Sequence, residues 1–304
     1  MVRKNDDARV RFADGFVVSK NFIFIAAQLV TLEDYDLSRI FMYRDGQWGR
    51  YDVNVVVWSV CVVQKPRRAF YCMGRDGQID VSVAGEGRTE EIPEAGVGRG
   101  KLGYLNQIQE IAGQLYACGG SGQIYRRERE GWEHLDQGVL DRKKAARAVD
   151  LVSISGTSAK DIYAVGRDGL LFHYDGKSWR SLNSPTSLDL NWVRCVSPNE
   201  VYICGNDGGF FKGSVDTWEN FSRPDLNEEF WSIEMFSGAP YLAATSGIYK
   251  FNGKKVEKVD TKLNPAPGGF HLHANDGVLW SFGENELCFF DGKKWTSVKH
   301  PDNP

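Results

Sequence analysis

The chain has 304 residues, 42% of them apolar and 25% charged, with a formal net charge of −3. That length suits one large or two ordinary domains of a soluble globular protein. The charge provides no basic field for nucleic acid or anionic lipid, no apolar run reaches the roughly 18 residues of a membrane helix, and the opening MVRKNDDARVRF lacks the apolar core of a secretion signal.

In chain order, the first apolar strand pair centres on Phe24. Residues 9–18 before it either supply a first strand to the same unit or pair with the far end of the chain. Residues 29–39, LVTLEDYDLSR, interrupt the pattern and contain Asp34 and Tyr35. Asp45-Gly46 and Trp48 follow. The next unit opens with Trp58-Ser59-Val60, passes a loop holding Lys65, Pro66, Arg67 and Arg68, and reaches Tyr71, Asp76-Gly77 and a linker at residues 93–104.

From here a phrase becomes legible. Residues 113–135 read GQLYACGGSGQIYRREREGWEHL, residues 161–182 read DIYAVGRDGLLFHYDGKSWRSL, and residues 200–221 read EVYICGNDGGFFKGSVDTWENF. Each is an apolar strand around a Tyr, a Gly-rich turn, a second apolar strand and a third near a Trp. The Tyr position recurs as Tyr71, Tyr116, Tyr163, Tyr202, Tyr241 and Trp280, with Phe24 as the first copy, which makes seven copies. Spacing is even from Tyr163 onward and longer before it, where the interruptions lie. The longest, residues 136–150, carries the cluster Arg142, Lys143, Lys144 and Arg147.

Each copy reads as four short strands. In the fourth they fall near 151–155, 161–166, 169–174 and 178–182. Asp45-Gly46, Asp175-Gly176, Asn252-Gly253 and Asp291-Gly292 link strands three and four and suit type I′ hairpins, whose central residues both need positive φ. Up-and-down units of roughly 40 residues, repeated four to eight times, describe a β-propeller. The expected fold is all-β: one seven-bladed propeller with blades near 9–54, 55–93, 102–138, 149–184, 188–224, 228–262 and 268–300. The aromatics Trp48, Trp132, Trp179, Trp218 and Trp295 on fourth strands are expected between blades. So are those of the first strands, Trp58, Trp192 and Trp231.

IYAVGRDGLLFHYDGKSW resembles the repeat of bacterial seven-bladed propellers, broadly similar to the WD-repeat and kelch folds. It lacks the Trp-Asp ending with an upstream Gly-His, and it lacks the kelch glycine pair. The Asp175-to-Trp179 spacing is one short of the sialidase Asp-box. The resemblance therefore implies a fold and no catalytic residues.

Chemistry-bearing residues are sparse. His271 and His273 lie two apart on a first strand, so they share a face toward the central channel. They would need a third ligand to hold a metal. Arg194 is a further channel candidate. His173 matches Arg126 and Lys250 of other copies and reads as exposed. The six cysteines lie in apolar strands without metal-ligand spacing, and Cys118 and Cys204 share a position with Val165, which indicates packing and a reducing cytoplasm.

No nucleophile triad or phosphate loop is present, and no cofactor is implied. The leading expectation is a non-enzymatic, monomeric, cytoplasmic scaffold of immunity or assembly type. It would cap a specific protein partner with one rim through Asp34, Tyr35, Lys65, Arg67, Arg68, Arg142, Lys143, Lys144 and Arg147. The alternatives are a lectin-like module and an enzyme or metal site in the channel. Little aromatic interleaving accompanies the basic cluster, which disfavours nucleic acid.

Overall fold

Seven four-stranded antiparallel sheets stand around one axis, and in each the strands pair in chain order. This computed structural model describes residues 9–30, 37–140 and 149–303. The inner strands are Val10–Ser19, Val57–Val63, Leu105–Ile111, Leu151–Ser158, Leu190–Ser197, Phe230–Phe236 and His271–Asn275. The remaining blade-four strands are Asp161–Gly166, Leu171–Tyr174 and Trp179–Ser181, close to the expected spans.

A single amphipathic sheet cannot bury both its faces. Here seven hydrophobic clusters form, one at each interface between neighbouring blades. Fully burying each Ile, Leu or Phe contributes about 1.5–3 kcal/mol, so the interfaces hold the ring together. The fourth-strand tryptophans reach back to the preceding blade, as Trp179 does by donating Nε1–H to the Leu135 carbonyl at 2.7 Å and Trp132 to Glu90 at 3.1 Å. The recurrent Tyr faces a cation across the next strand: Lys212 over Tyr202 at 5.5 Å and Lys250 over Tyr241 at 5.3 Å. His173 fills that place against Tyr163. It is half-buried and paired with Asp161 at 2.8 Å, so the expected exposure is wrong.

The meander sends the strand 1–2 and 3–4 turns to one face of the disc. The strand 2–3 turns and the interblade connections go to the other. We call these the turn face and the connection face. Asp45-Gly46 is the expected pair of positive φ values, 50° and 81°. At Asp175-Gly176, Asn252-Gly253 and Asp291-Gly292 only the glycine is left-handed. The Asp175 carboxylate instead accepts the Lys177 and Ser178 N–H groups, both at 2.8 Å, and Asn252 and Asp291 do the same in their blades. These are side-chain-capped turns, not type I′ hairpins.

The ring closes without a shared strand, because Val10–Ser19 pairs with Phe22–Leu29 inside blade one. Blades seven and one meet through the Phe12 N–H to Glu284 carbonyl bond at 2.9 Å and through Trp280 and Phe282 packed with Val10 and Phe12. A C-terminal clasp covers the joint. Asn303 bonds the Val10 backbone in both directions, at 3.3 and 2.9 Å. Asp302 reaches Arg39 at 3.1 Å and Arg50 at 3.0 Å, and His300 packs edge-on to Phe12, Phe41 and Trp48.

Candidate functional site

Pairing registers align the inner strands residue by residue. Opposite the recurrent Tyr stand Phe16, Cys61, Gln109, Ser155, Arg194, Glu234 and His273. Two residues earlier stand Asp14, Ser59, Gln107, Ser153, Trp192, Ser232 and His271. These are two tiers of side chains across the axis.

Both tiers pass hydrogen bonds from blade to blade. An inner strand has an unpaired edge, and its N–H groups need acceptors. Asp14 accepts from Val60 N–H at 2.7 Å, Gln107 from Ile154 at 2.7 Å, Ser153 from Val193 at 3.2 Å and Ser232 from Leu272 at 3.0 Å. Where Trp192 interrupts the series, Arg194 pairs with Glu234 of the next blade at 2.8 Å. At the joint His273 Nδ1 accepts Val17 N–H at 3.2 Å, and His271 pairs with Asp14.

These bonds fix the electrostatics. Burial pulls His271 down, but Asp14 and Glu234 outweigh it and hold the imidazole above its usual range. Burial, with the charges of His271 and Arg194, pushes His273 well down. Burial raises Glu234, against the pull of Arg194. The three channel candidates therefore do converge, in a polar plug of ion pairs that leaves Arg194 Nε and His271 Nδ1 buried without a hydrogen-bond partner among the described residues. Among the described residues no three metal-type ligands come together.

Above the plug the channel opens on the connection face as a mouth of about 580 Å³. Its wall comes from the residue just before the upper tier: Ala13, Trp58, Asn106, Val152, Asn191, Trp231 and Phe270. Trp58 is 40% and Phe270 39% exposed. The expectation that first-strand aromatics lie between blades fails here. Trp192 sits one register position later than Trp58 and Trp231, and a one-residue shift turns the side chain the other way. It packs against His271, ring centroids 5.1 Å apart, on the mouth's floor. Of the eight large hydrophobics exposed among the described residues, seven lie on the connection face: Val30, Val56, Trp58, Val97, Tyr104, Leu188 and Phe270. Val196 alone lies toward the turn face.

The described parts of the interruptions lie on the same face as this mouth. Residues 93–104 and the described part of 136–150 belong to interblade connections, and the described ends of 29–39 lie between strands 2 and 3 of blade one. His134 bridges two of them, meeting Glu94 at 2.9 Å and Asp136 at 2.7 Å. Asp34, Tyr35, Arg142, Lys143, Lys144 and Arg147 lie outside the described residues. Lys65, Arg67 and Arg68 sit in a strand 1–2 turn. They are exposed on the turn face, away from the described connections.

Arg75 and Tyr104 were not singled out by sequence reasoning, and Trp58 was expected between blades. The guanidinium of Arg75 lies 4.2 Å from the Trp58 ring centre and 4.5 Å from that of Tyr104. Arg167 also lines the mouth and pairs with Asp150 at 2.8 Å and Asp189 at 3.7 Å. Arg11 pairs with Glu284 at 2.8 Å.

No protein-family model matches the chain. Among solved structures the chain is similar to YCF48 bound to D1 peptide, with a TM-score of 0.69, 13% identity, and 96% and 93% of the two chains covered. It is also similar to the WD40 propeller domain of Doa1, with a TM-score of 0.66, 13% identity, and 99% and 96% covered. Both likenesses establish the propeller fold alone. A curated relative is 31% identical over 292 residues, spanning 93% of this chain and 95% of its own length: the immune protein Tsi7 of Pseudomonas aeruginosa. The chain belongs to the family of the immune protein Tsi7 and is an immunity-type β-propeller.

Proposed function

We propose that this propeller neutralises one specific protein partner by capping it with the connection face, and that it does so without catalysis. The observation that carries the reading is the concentration of exposed hydrophobics on that face, around a mouth with paired charges at its edge. Exposed apolar residues gathered on one face, beside polar groups, suit a protein interface. Interblade connections of unequal length supply specificity, since each presents a different backbone to the partner. The partner engages the chain in the cytoplasm, a compartment suited to six unpaired cysteines.

The test has two arms. Tagged chain purified from its native host should carry a stoichiometric protein partner, identified by mass spectrometry; its absence sinks the reading. A photo-crosslinking residue at position 270 should then capture that partner, and one at position 196 should not. Capture from position 196 alone would move the interface to the turn face.

A further inference from the structure

Gly74-Arg75-Asp76-Gly77 and Gly166-Arg167-Asp168-Gly169 are one motif at one repeat position, the strand 2–3 turn. Each arginine reaches the mouth beside two residues that immediately precede inner strands. Around Arg167 these are Asp150 and Asp189, and both are carboxylates. Around Arg75 the same two places hold Val56 and Tyr104, and Trp58 stands where blade four has Val152. The neutralising acids are thus replaced by apolar surface, while the arginine stays.

The consequence is visible in the contacts. Arg75 lies against Trp58 and Tyr104, and its Nε is buried without a hydrogen-bond partner. Among the described residues no carboxylate pairs with it. Stacking engages the guanidinium faces and leaves its in-plane N–H donors free, which is the geometry that takes a carboxylate through two parallel bonds.

We infer that Arg75 is the charged anchor of the interface. It receives the side-chain carboxylate of an Asp or Glu on a loop that the protein partner inserts into the mouth, with the apolar part of that loop against Trp58 and Val56. A polyanion such as nucleic acid does not fit. Across the ring the mouth presents Asp189 and the exposed Glu229, which has no partner among the described residues. A single carboxylate flanked by apolar groups avoids that field; a run of phosphates meets it.

This inference rests on the capping proposed above, and the experiment separates the two. The co-purified partner is titrated against wild-type chain and against Arg75→Glu, Arg75→Lys and Lys293→Glu, the last an exposed control on the turn face. Losing one member of a desolvated charge pair typically costs two orders of magnitude in affinity, so Arg75→Glu should weaken binding roughly 100-fold or more. Arg75→Lys should lose roughly 10-fold, since lysine keeps the charge without the planar fork. Lys293→Glu should bind as wild type. Because Arg75 holds no ion pair here, all three variants should keep the wild-type melting temperature, and Arg75→Gln replaces any that does not. A partner Asp or Glu changed to Arg should restore binding to Arg75→Glu. Full-affinity binding by Arg75→Glu would overturn the anchor and leave the capping intact. Competition by a DNA oligonucleotide or by polyphosphate would overturn the carboxylate assignment. If no partner co-purifies, both proposals fall.

Discussion

Replacing Gly166 by alanine should cost the fold about 3 kcal/mol, although alanine suits the backbone there (φ −166°, ψ −161°). The obstacle is space. A Cβ on Gly166 would stand 2.0 Å from the Asp150 carbonyl oxygen, 2.9 Å from its carbon and 3.0 Å from Leu151 Cα. All three are backbone atoms, so no rotamer change relieves them, and the strand end must move by more than an ångström. Overpacking of this kind costs about 1–3 kcal/mol. The movement also breaks the 3.1 Å bond from Arg167 N–H to the Asp150 carbonyl, for about 1 kcal/mol more. Gly119 and Gly205 repeat the geometry, at 2.2 Å from the Tyr104 oxygen and 2.0 Å from that of Asp189. Urea unfolding followed by far-ultraviolet circular dichroism measures the loss through the midpoint. Gly87→Ala is the reference: nothing lies within 4 Å of its Cβ, and it should stay within about 0.5 kcal/mol of wild type. A Gly166→Ala midpoint equal to that of Gly87→Ala would refute the argument.

Two further outcomes concern the clasp. Burial, opposed by Asp302 and reinforced by Arg50 and Arg39, holds His300 down at about 4, so the folded chain binds fewer protons than the unfolded chain between pH 4 and 6.5. Its contribution is complete above pH 6.5 and fades as pH falls toward 4, by about 1.4 kcal/mol per unit. His300→Phe keeps the ring packing and should flatten the fall in urea midpoint between pH 6.5 and 4.5; an unchanged slope would remove His300 from the account. His273 acts with the same sign. His271, held high, acts with the opposite one, since its contribution is present below pH 6.5 and lost as pH rises through its folded value. Asp302→Asn takes a carboxylate from the buried Arg39 and should cost about 2–3 kcal/mol in chemical denaturation, with no change expected in the turn-face hairpins by hydrogen exchange.

Seven blades were readable because their signals are local. The Tyr, the glycine turn and the strand-four Trp recur within one unit, and each fixes its own strand. The channel candidates were readable for the same reason, since alternation along one strand puts His271 and His273 on one side. The mouth was not, because its residues come from turns and connections of different blades and meet only once the ring closes. A signal for Arg75 was nonetheless present: the motif Gly-Arg-Asp-Gly occurs twice, and only one copy has acids before the flanking strands. Trp192 packs against the core between blades five and six as expected, while Trp58 and Trp231 were misplaced, because a Trp at the start of three inner strands hides that theirs sit one register position earlier and face the mouth. The capped Asp-Gly turns were mistaken because glycine dominates the pattern and hides the work of the preceding carboxylate.

Because every blade takes its four strands from consecutive residues, no strand crosses the joint between blades seven and one. The molecule is mechanically a split washer and not a hoop. Tension applied between its ends would load side chains, chiefly Asn303, Asp302 and His300 with their partners on blade one, before it loaded any β-ladder. The six other joints are spanned by continuous chain. A circular permutant that links residues 303 and 9 and opens another interblade connection would therefore move the weak seam without altering a single sheet.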